Sequence, residues 1–134
     1  MAKISVFIYG SLLPGHSNHH VIASHITAFE PGEIEGCLVD VGPYPAAVRS
    51  GRNGTGAGRI RGGWIIIGRE GLAAMDALEE FSGIEEMNDY DRVWVSDRTN
   101  PAMEGWVYVW ESSRGFPTIP DDNWPDYWAR KNRR

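Results

Sequence analysis

Ile4, Val6, Phe7, Ile8 and Tyr9 form a nearly unbroken apolar run of strand length that stops at Gly10. Such continuity is the pattern of a strand buried on both faces. A second run, Trp64-Ile65-Ile66-Ile67, makes the latter half of a strand predicted over 59–67, and Gly68 ends it. Its continuity places that strand centrally in a sheet. Alternating apolar and polar positions predict further strands over 33–41, 90–95 and 106–110, with 100–105 as a hairpin-like turn between the last two. From Leu72 to Phe81 the period changes, because Leu72, Met75, Leu78 and Phe81 recur every three residues. That spacing predicts a helix with one apolar stripe. Residues 21–29 carry both periods and are read as a short helix running into a strand, with Pro31-Gly32 as a turn. Gly42-Pro43-Tyr44-Pro45 is held extended, since a residue before proline is pushed out of the helical region. It forms either one wall of a pocket or a surface connector. The Gly-rich stretch 50–58 lacks the Gly-Lys-Ser/Thr ending of a phosphate loop and reads as a flexible hairpin tip.

Composition narrows the function classes. At 134 residues the chain is expected to be one domain, 1–134, with an aromatic, Pro-rich tail from about residue 111. The many glycines and prolines favour turns and short strands over a helical bundle. A net charge of −5 argues against a general nucleic-acid binder, since the only basic cluster is the terminal 130–134. The first apolar run is too short for a signal peptide or a membrane span. With Cys37 as the single cysteine, no internal disulfide forms, which fits a reducing compartment. The expectation is therefore a soluble cytoplasmic protein with no nucleic-acid or membrane partner. The aromatic tail is predicted to dock on the domain surface, to cap a pocket, or to form a homodimer contact.

Candidate chemistry starts where the first strand ends. Gly10 is free to take a positive φ, and Ser11 adds a hydroxyl. Successive backbone N–H groups can then converge into a concave site for a carboxylate or phosphate. The alternative is an ordinary loop after a strand. On the predicted helix, Glu79 falls at the margin of the apolar stripe, whereas Asp76 and Glu80 point more outward. Glu79 either points into a cavity, where burial raises its pKa toward a range useful for proton transfer, or swings out to water. His16 and His20 have the i, i+4 spacing of a metal pair. No carboxylate or cysteine nearby completes a ligand set, so no metal is expected. Cys37 as a nucleophile is disfavoured because it falls within a predicted strand.

Three segments taken together resemble the gamma-glutamylcyclotransferase-like family, which includes AIG2-like proteins and gamma-glutamylamine cyclotransferases. They are Tyr9-Gly10-Ser11-Leu12, continued by Leu13-Pro14-Gly15; Asp40-Val41-Gly42-Pro43-Tyr44-Pro45-Ala46; and Met75-Asp76-Ala77-Leu78-Glu79-Glu80 followed by Tyr90-Asp91-Arg92. The likeness covers about residues 4–110. Met75 replaces a usual Leu, Gly63 a frequent Glu, and residues 83–89 lengthen the loop beside the helix. The resemblance implies an α+β fold, a small mixed β-barrel with peripheral helices. It also implies an enzyme of lyase or acyltransferase type that cyclises a gamma-glutamyl amine or amino acid to 5-oxoproline, without a cofactor. Tyr9, Gly10, Ser11 and Leu12 inherit substrate binding, and Glu79 inherits proton transfer. Pro45, Tyr90 and Arg92 either line the pocket or serve structure, Arg92 then pairing with the acidic loop. The competing reading is a non-catalytic module that binds a small molecule in the same pocket.

Overall fold

In a computed structural model, the structure describes residues 3–10, 13, 19–42, 44–48, 58–78, 90–120 and 122–131. The fold is α+β. Strand β1, Ile4–Ile8, is followed by a short helix α1, His19–Ile22, one 3-10 turn at Ala23–His25, and β2, Ala28–Glu35. Next come β3, Cys37–Asp40; β4, Pro45–Val48; β5, Arg59–Ile67; and helix α2, Arg69–Leu78. Strands β6, Asp91–Ser96, and β7, Glu104–Val109, precede helix α3, Trp124–Lys131.

Five strands form one sheet in the order β2-β5-β1-β7-β6, and β3 pairs with β4. Strand β5 takes an interior position, as its apolar run predicts, antiparallel to both β1 and β2, and β1 holds the centre. Period-two alternation then sorts the core. Val6 and Ile8 of β1 face a cluster with Ile65, Ile67, Ile22 and Met75 under the helices. Phe7 and Tyr9 face the opposite cluster, with Ile34, Trp64, Val107 and Trp124.

The sheet is not closed into a barrel by strand pairing, but its edges are joined at one point. Arg98 N–H donates to Glu33 O at 2.8 Å. The carboxylate of Asp97 accepts from Glu33 N–H at 2.9 Å and from Trp64 Nε1 at 2.8 Å.

Strand β2 runs straight through Pro31-Gly32, where a turn was expected, and the chain breaks instead at Gly36, whose φ is +149°. The reason is β2's place at the sheet edge. Glu33 N–H points off the free edge toward Asp97, and Pro31, two residues earlier, has its donorless nitrogen on that same side. Two elements go beyond the expected set. The loop 42–45 passes at once into β4, and the aromatic tail contains helix α3, with Pro125 in its first turn, where a missing N–H costs nothing. Of the hairpin tip predicted over 50–58, residues 50–57 lie outside the described residues.

The tail docks as expected, through named contacts. Residues 117–119 pair with β3, Asp40 N–H donating to Pro117 O at 2.9 Å and Ile119 N–H to Leu38 O at 2.8 Å. Arg59 and Arg61 of β5 bind Asp122 at 2.8 and 2.7 Å, and Arg61 also reaches Asp126. Burial alone would raise the Asp122 carboxyl, but hydrogen bonds and charge from Arg61 and Arg59 outweigh it and hold its pKa below the usual value. No helix among the described residues is long and apolar enough to cross a membrane.

Candidate active site

Strands β1 and β7 run parallel, with Val6 opposite Trp106, so their C-terminal ends leave the sheet on the same side. Tyr9 and Gly10 emerge from one and Trp110 from the other. Strand β4 is wedged against both. Trp110 N–H donates to Ala47 O at 2.8 Å. The Tyr9 hydroxyl donates to Tyr108 O at 2.6 Å and accepts from Ala47 N–H at 3.1 Å. Tyr9 is therefore a buried rivet joining β1, β4 and β7, and its phenol is consumed in that task.

Gly10 does not take the positive φ open to it and is a glycine for a steric reason. A Cβ there would stand 2.8 Å from both Cδ and Cγ of Pro45, with no room to yield. Directly afterwards Leu13 N–H donates to Gly10 O at 3.0 Å, turning the chain back at the strand end. Such a turn is the backbone geometry in which convergent amides arise. Ser11 and Leu12 lie outside the described residues.

Pro45 is the second wall. It is buried against Gly10, and its carbonyl accepts from the Tyr90 hydroxyl at 3.1 Å. The Tyr90 ring lies 5.6 Å from that of Trp110. The structure thus brings Gly10, Pro45 and Tyr90 together. The loop leading to Pro45 is held from the far end of the chain. Asp40 accepts from Gly42 N–H at 2.8 Å, from the Tyr127 hydroxyl at 2.5 Å and from Lys131 Nζ at 3.0 Å. Lys131 also donates to Gly42 O at 3.1 Å. Burial would raise the Asp40 pKa, but these donors, Tyr127 first, lower it.

Arg92 is tied to helix α2, while the acidic loop at 83–89 lies outside the described residues. Its Nη1 donates to both carboxylate oxygens of Asp76, at 3.0 and 2.8 Å. The Tyr108 hydroxyl donates to Asp76 Oδ1 at 2.5 Å, and the guanidinium lies 4.7 Å over the Trp106 ring. Burial first, and then the bond to Asp76, push the Tyr108 phenol pKa up. Asp76, expected to face outward, is thus the anchor that fixes the end of α2 to β6 and β7. The signal for it was its place one turn before Glu79 at the margin of the apolar stripe. Glu79 comes directly after Leu78, the last residue of α2, and lies outside the described residues.

Other candidates are weaker. His16 lies outside the described residues, and among the described residues no group of three or more His, Cys, Asp or Glu side chains is placed to hold a metal. Burial pushes the Cys37 thiol up, away from the reactive thiolate.

The family described as "Gamma-glutamyl cyclotransferase, AIG2-like" matches residues 6–126. Among curated relatives, the gamma-L-glutamyl-butirosin B gamma-glutamyl cyclotransferase of Niallia circulans is 28% identical over 126 residues, covering 92% of this chain and 76% of that protein. Among solved structures, YkqA from Bacillus subtilis superposes with a TM-score of 0.74 at 20% identity, over 97% of this chain, which spans only 42% of that longer one. An AIG2-like protein from Mus musculus superposes with a TM-score of 0.70 at 20% identity, over 92% of this chain and 89% of its own. The structural likenesses show a shared fold.

Proposed function

The chain belongs to the gamma-glutamyl cyclotransferase, AIG2-like family, and from that premise we propose that it cyclises a gamma-glutamyl amine or amino acid to 5-oxoproline, releasing the amine. The observation that carries this reading is the junction at the end of β1, where Gly10 turns the chain back against the Pro45 wall. A turn there, with its amides near a closely packed wall, suits a carboxylate anchor.

The chemistry needs three things of the chain. The amides of Gly10, Ser11 and Leu12 anchor the substrate's α-carboxylate, and Pro45 and Tyr90 confine the glutamyl chain so that its α-amino nitrogen faces its own γ-carbonyl. Glu79 takes a proton from the α-ammonium group. The freed amine attacks the γ-carbon, a C–N bond forms, and the resulting tetrahedral intermediate closes a five-membered ring. Glu79 then returns the proton to the leaving nitrogen as the old amide C–N bond breaks, and the surplus proton of the ring nitrogen passes to the released amine, which departs as an ammonium ion. Atoms and charge balance without metal, redox partner or organic cofactor. The Asp76, Arg92 and Tyr108 cluster supports this reading by fixing the end of α2, next to which Glu79 stands in the chain. We assign the reaction to the whole of residues 1–134, since α3 holds the loop that carries Pro45.

The test is release of 5-oxoproline from a panel of gamma-glutamyl amino acids, gamma-glutamyl-ε-lysine and gamma-glutamyl amines. Wild type is expected to release product, and Glu79→Gln to lose about 10²-fold or more in turnover with an unchanged melting temperature. Equal turnover in the variant would remove Glu79 from its role. Binding of the panel without any product would instead favour a non-catalytic module.

A further inference from the structure

Trp110 is 3% exposed, and its indole Nε1 is buried with no hydrogen-bond partner among the described residues. An indole N–H placed inside a protein ordinarily finds an acceptor, so a buried one without it calls for an explanation. The ring is flanked by Tyr90 at 5.6 Å on one side and by Phe116 at 5.7 Å on another, and the Arg114 guanidinium lies 4.0 Å above it. Arg114 has a φ of +51°, and it is the only non-glycine residue with positive φ among the described residues. An L-residue with a long side chain is strained there, and a turn alone would be served better by glycine or asparagine. The conformation is nevertheless braced. Arg114 N–H donates to Ser112 Oγ at 3.3 Å, Gly115 N–H to Ser113 Oγ at 3.4 Å, and Phe116 N–H to Ser113 O at 2.9 Å. The strain therefore supports what the side chain does, which is to hold a cation over the indole.

The place of this pair matters as much as its chemistry. Because β1 and β7 are parallel, the turn carrying Arg114 leaves the sheet on the same side as Gly10. Tyr90 links the two, with its hydroxyl on Pro45 O and its ring on Trp110. A continuous wall thus runs from the turn at Gly10, through Pro45 and Tyr90, to Trp110 and Arg114.

We propose that Arg114 and Trp110 form a subsite for a carboxylate on the leaving amine, so that the preferred substrates are gamma-glutamyl amino acids rather than simple gamma-glutamyl amines. This rests on the reading above in one respect, that the glutamyl group itself lies at Gly10 and Pro45. A planar carboxylate at the edge of the indole receives one hydrogen bond from Nε1–H and a charge-assisted one from the guanidinium. The buried Tyr90 ring keeps water from one side of that pairing, which strengthens it.

The experiment compares gamma-glutamylglycine with gamma-glutamylethylamide, which has the same length but no carboxylate, by calorimetric titration of Glu79→Gln protein, in which turnover is suppressed. The glycine conjugate is expected to bind about 10-fold or more tightly than the amide. Arg114→Asn, which suits positive φ, is expected to abolish that preference while leaving amide binding within about twofold, and Arg114→Lys to restore part of it. Trp110→Phe, which keeps an aromatic ring and removes the donor, reduces the preference several-fold. Equal binding of both ligands before Arg114 is changed, or the same preference after its change to Asn, overturns the subsite. A uniform loss for both ligands in Trp110→Phe removes Trp110 from it. Product release by wild type is read separately. A carboxylate preference without 5-oxoproline leaves the subsite standing and refutes the reaction.

Discussion

Two carboxylates sit at junctions of the same sheet and are held in opposite ways. Asp97, where the edge strands meet, is 6% exposed, and its oxygens accept from Trp64 Nε1 and from the amides of Glu33, Thr99 and Asn100. Asp76, where helix meets sheet, accepts from the Arg92 guanidinium and the Tyr108 phenol, and its side chain is 24% exposed. The first is an anion satisfied by neutral donors, most of them backbone, and it joins β2 to the loop after β6. The second is half of an ion pair that fastens a helix end beside the proposed chemistry. A carboxylate saturated by fixed amides is a structural element. One held by side chains at a helix end sets the direction in which the chain leaves that helix.

The contrast between Asp97 and Asp76 leads to a ranked set of effects. Asp97→Ala strands the Trp64 indole and the Glu33 amide, and is expected to cost about 3 kcal/mol or more in urea unfolding, with turnover retained in the protein that remains folded. A loss below about 1 kcal/mol would mean that water replaces those bonds. Arg92→Met, which leaves Asp76 with Tyr108 alone, is expected to cost about 2 kcal/mol and, unlike the Asp97 change, to lower kcat well below the midpoint of unfolding. If kcat holds, Asp76 and Asp97 are both structural. Tyr108→Phe, which spares the ion pair, should cost about 1 kcal/mol.

The acid limb of stability sharpens the contrast further. Burial alone would raise the Asp97 pKa, but the bond from Trp64 and those from the Glu33, Thr99 and Asn100 amides bring it down from 3.8 to about 2. A depressed pKa contributes stability that is complete above the unfolded value and is lost as pH falls through the folded one. Unfolding followed between pH 5 and 2 is therefore expected to steepen in wild type below about pH 4 and to be flatter in Asp97→Asn. The smallest effect belongs to Lys131→Met, which removes a partly exposed ion pair to Asp40 and should cost about 0.5 kcal/mol.

How much of this was legible in the sequence depends on the distance over which each contact acts. Strand β5 coincides with its prediction because a run of four apolar residues between an alternating half and a glycine has one reading. Helix α2 was legible from Leu72, Met75 and Leu78, although it begins earlier, at Arg69. Gly10 and Pro45 were each singled out, but that one leaves room for the other is a fact of packing. Pro31-Gly32 misled because a turn and an edge strand tolerate the same two residues, and only the sheet order separates them. Asp40 stands in a loop motif of the sequence, while its partners Tyr127 and Lys131 lie 87 and 91 residues away, beyond any periodicity. Asp76 and Arg92 stand in the sequence as separate motif positions. Their pairing needed β6 laid beside α2.

Pro31 has a consequence for how this protein behaves when crowded. Strand β2 lies at the sheet edge, where backbone groups other than those of Glu33, already taken by Asp97 and Arg98, face any passing strand, the usual seed of association between copies. With a proline in that row and glutamates at 30 and 35 along the same strand, a second copy docking there meets a missing donor and its own negative charge. Pairing of copies along β2 is thereby disfavoured at high concentration.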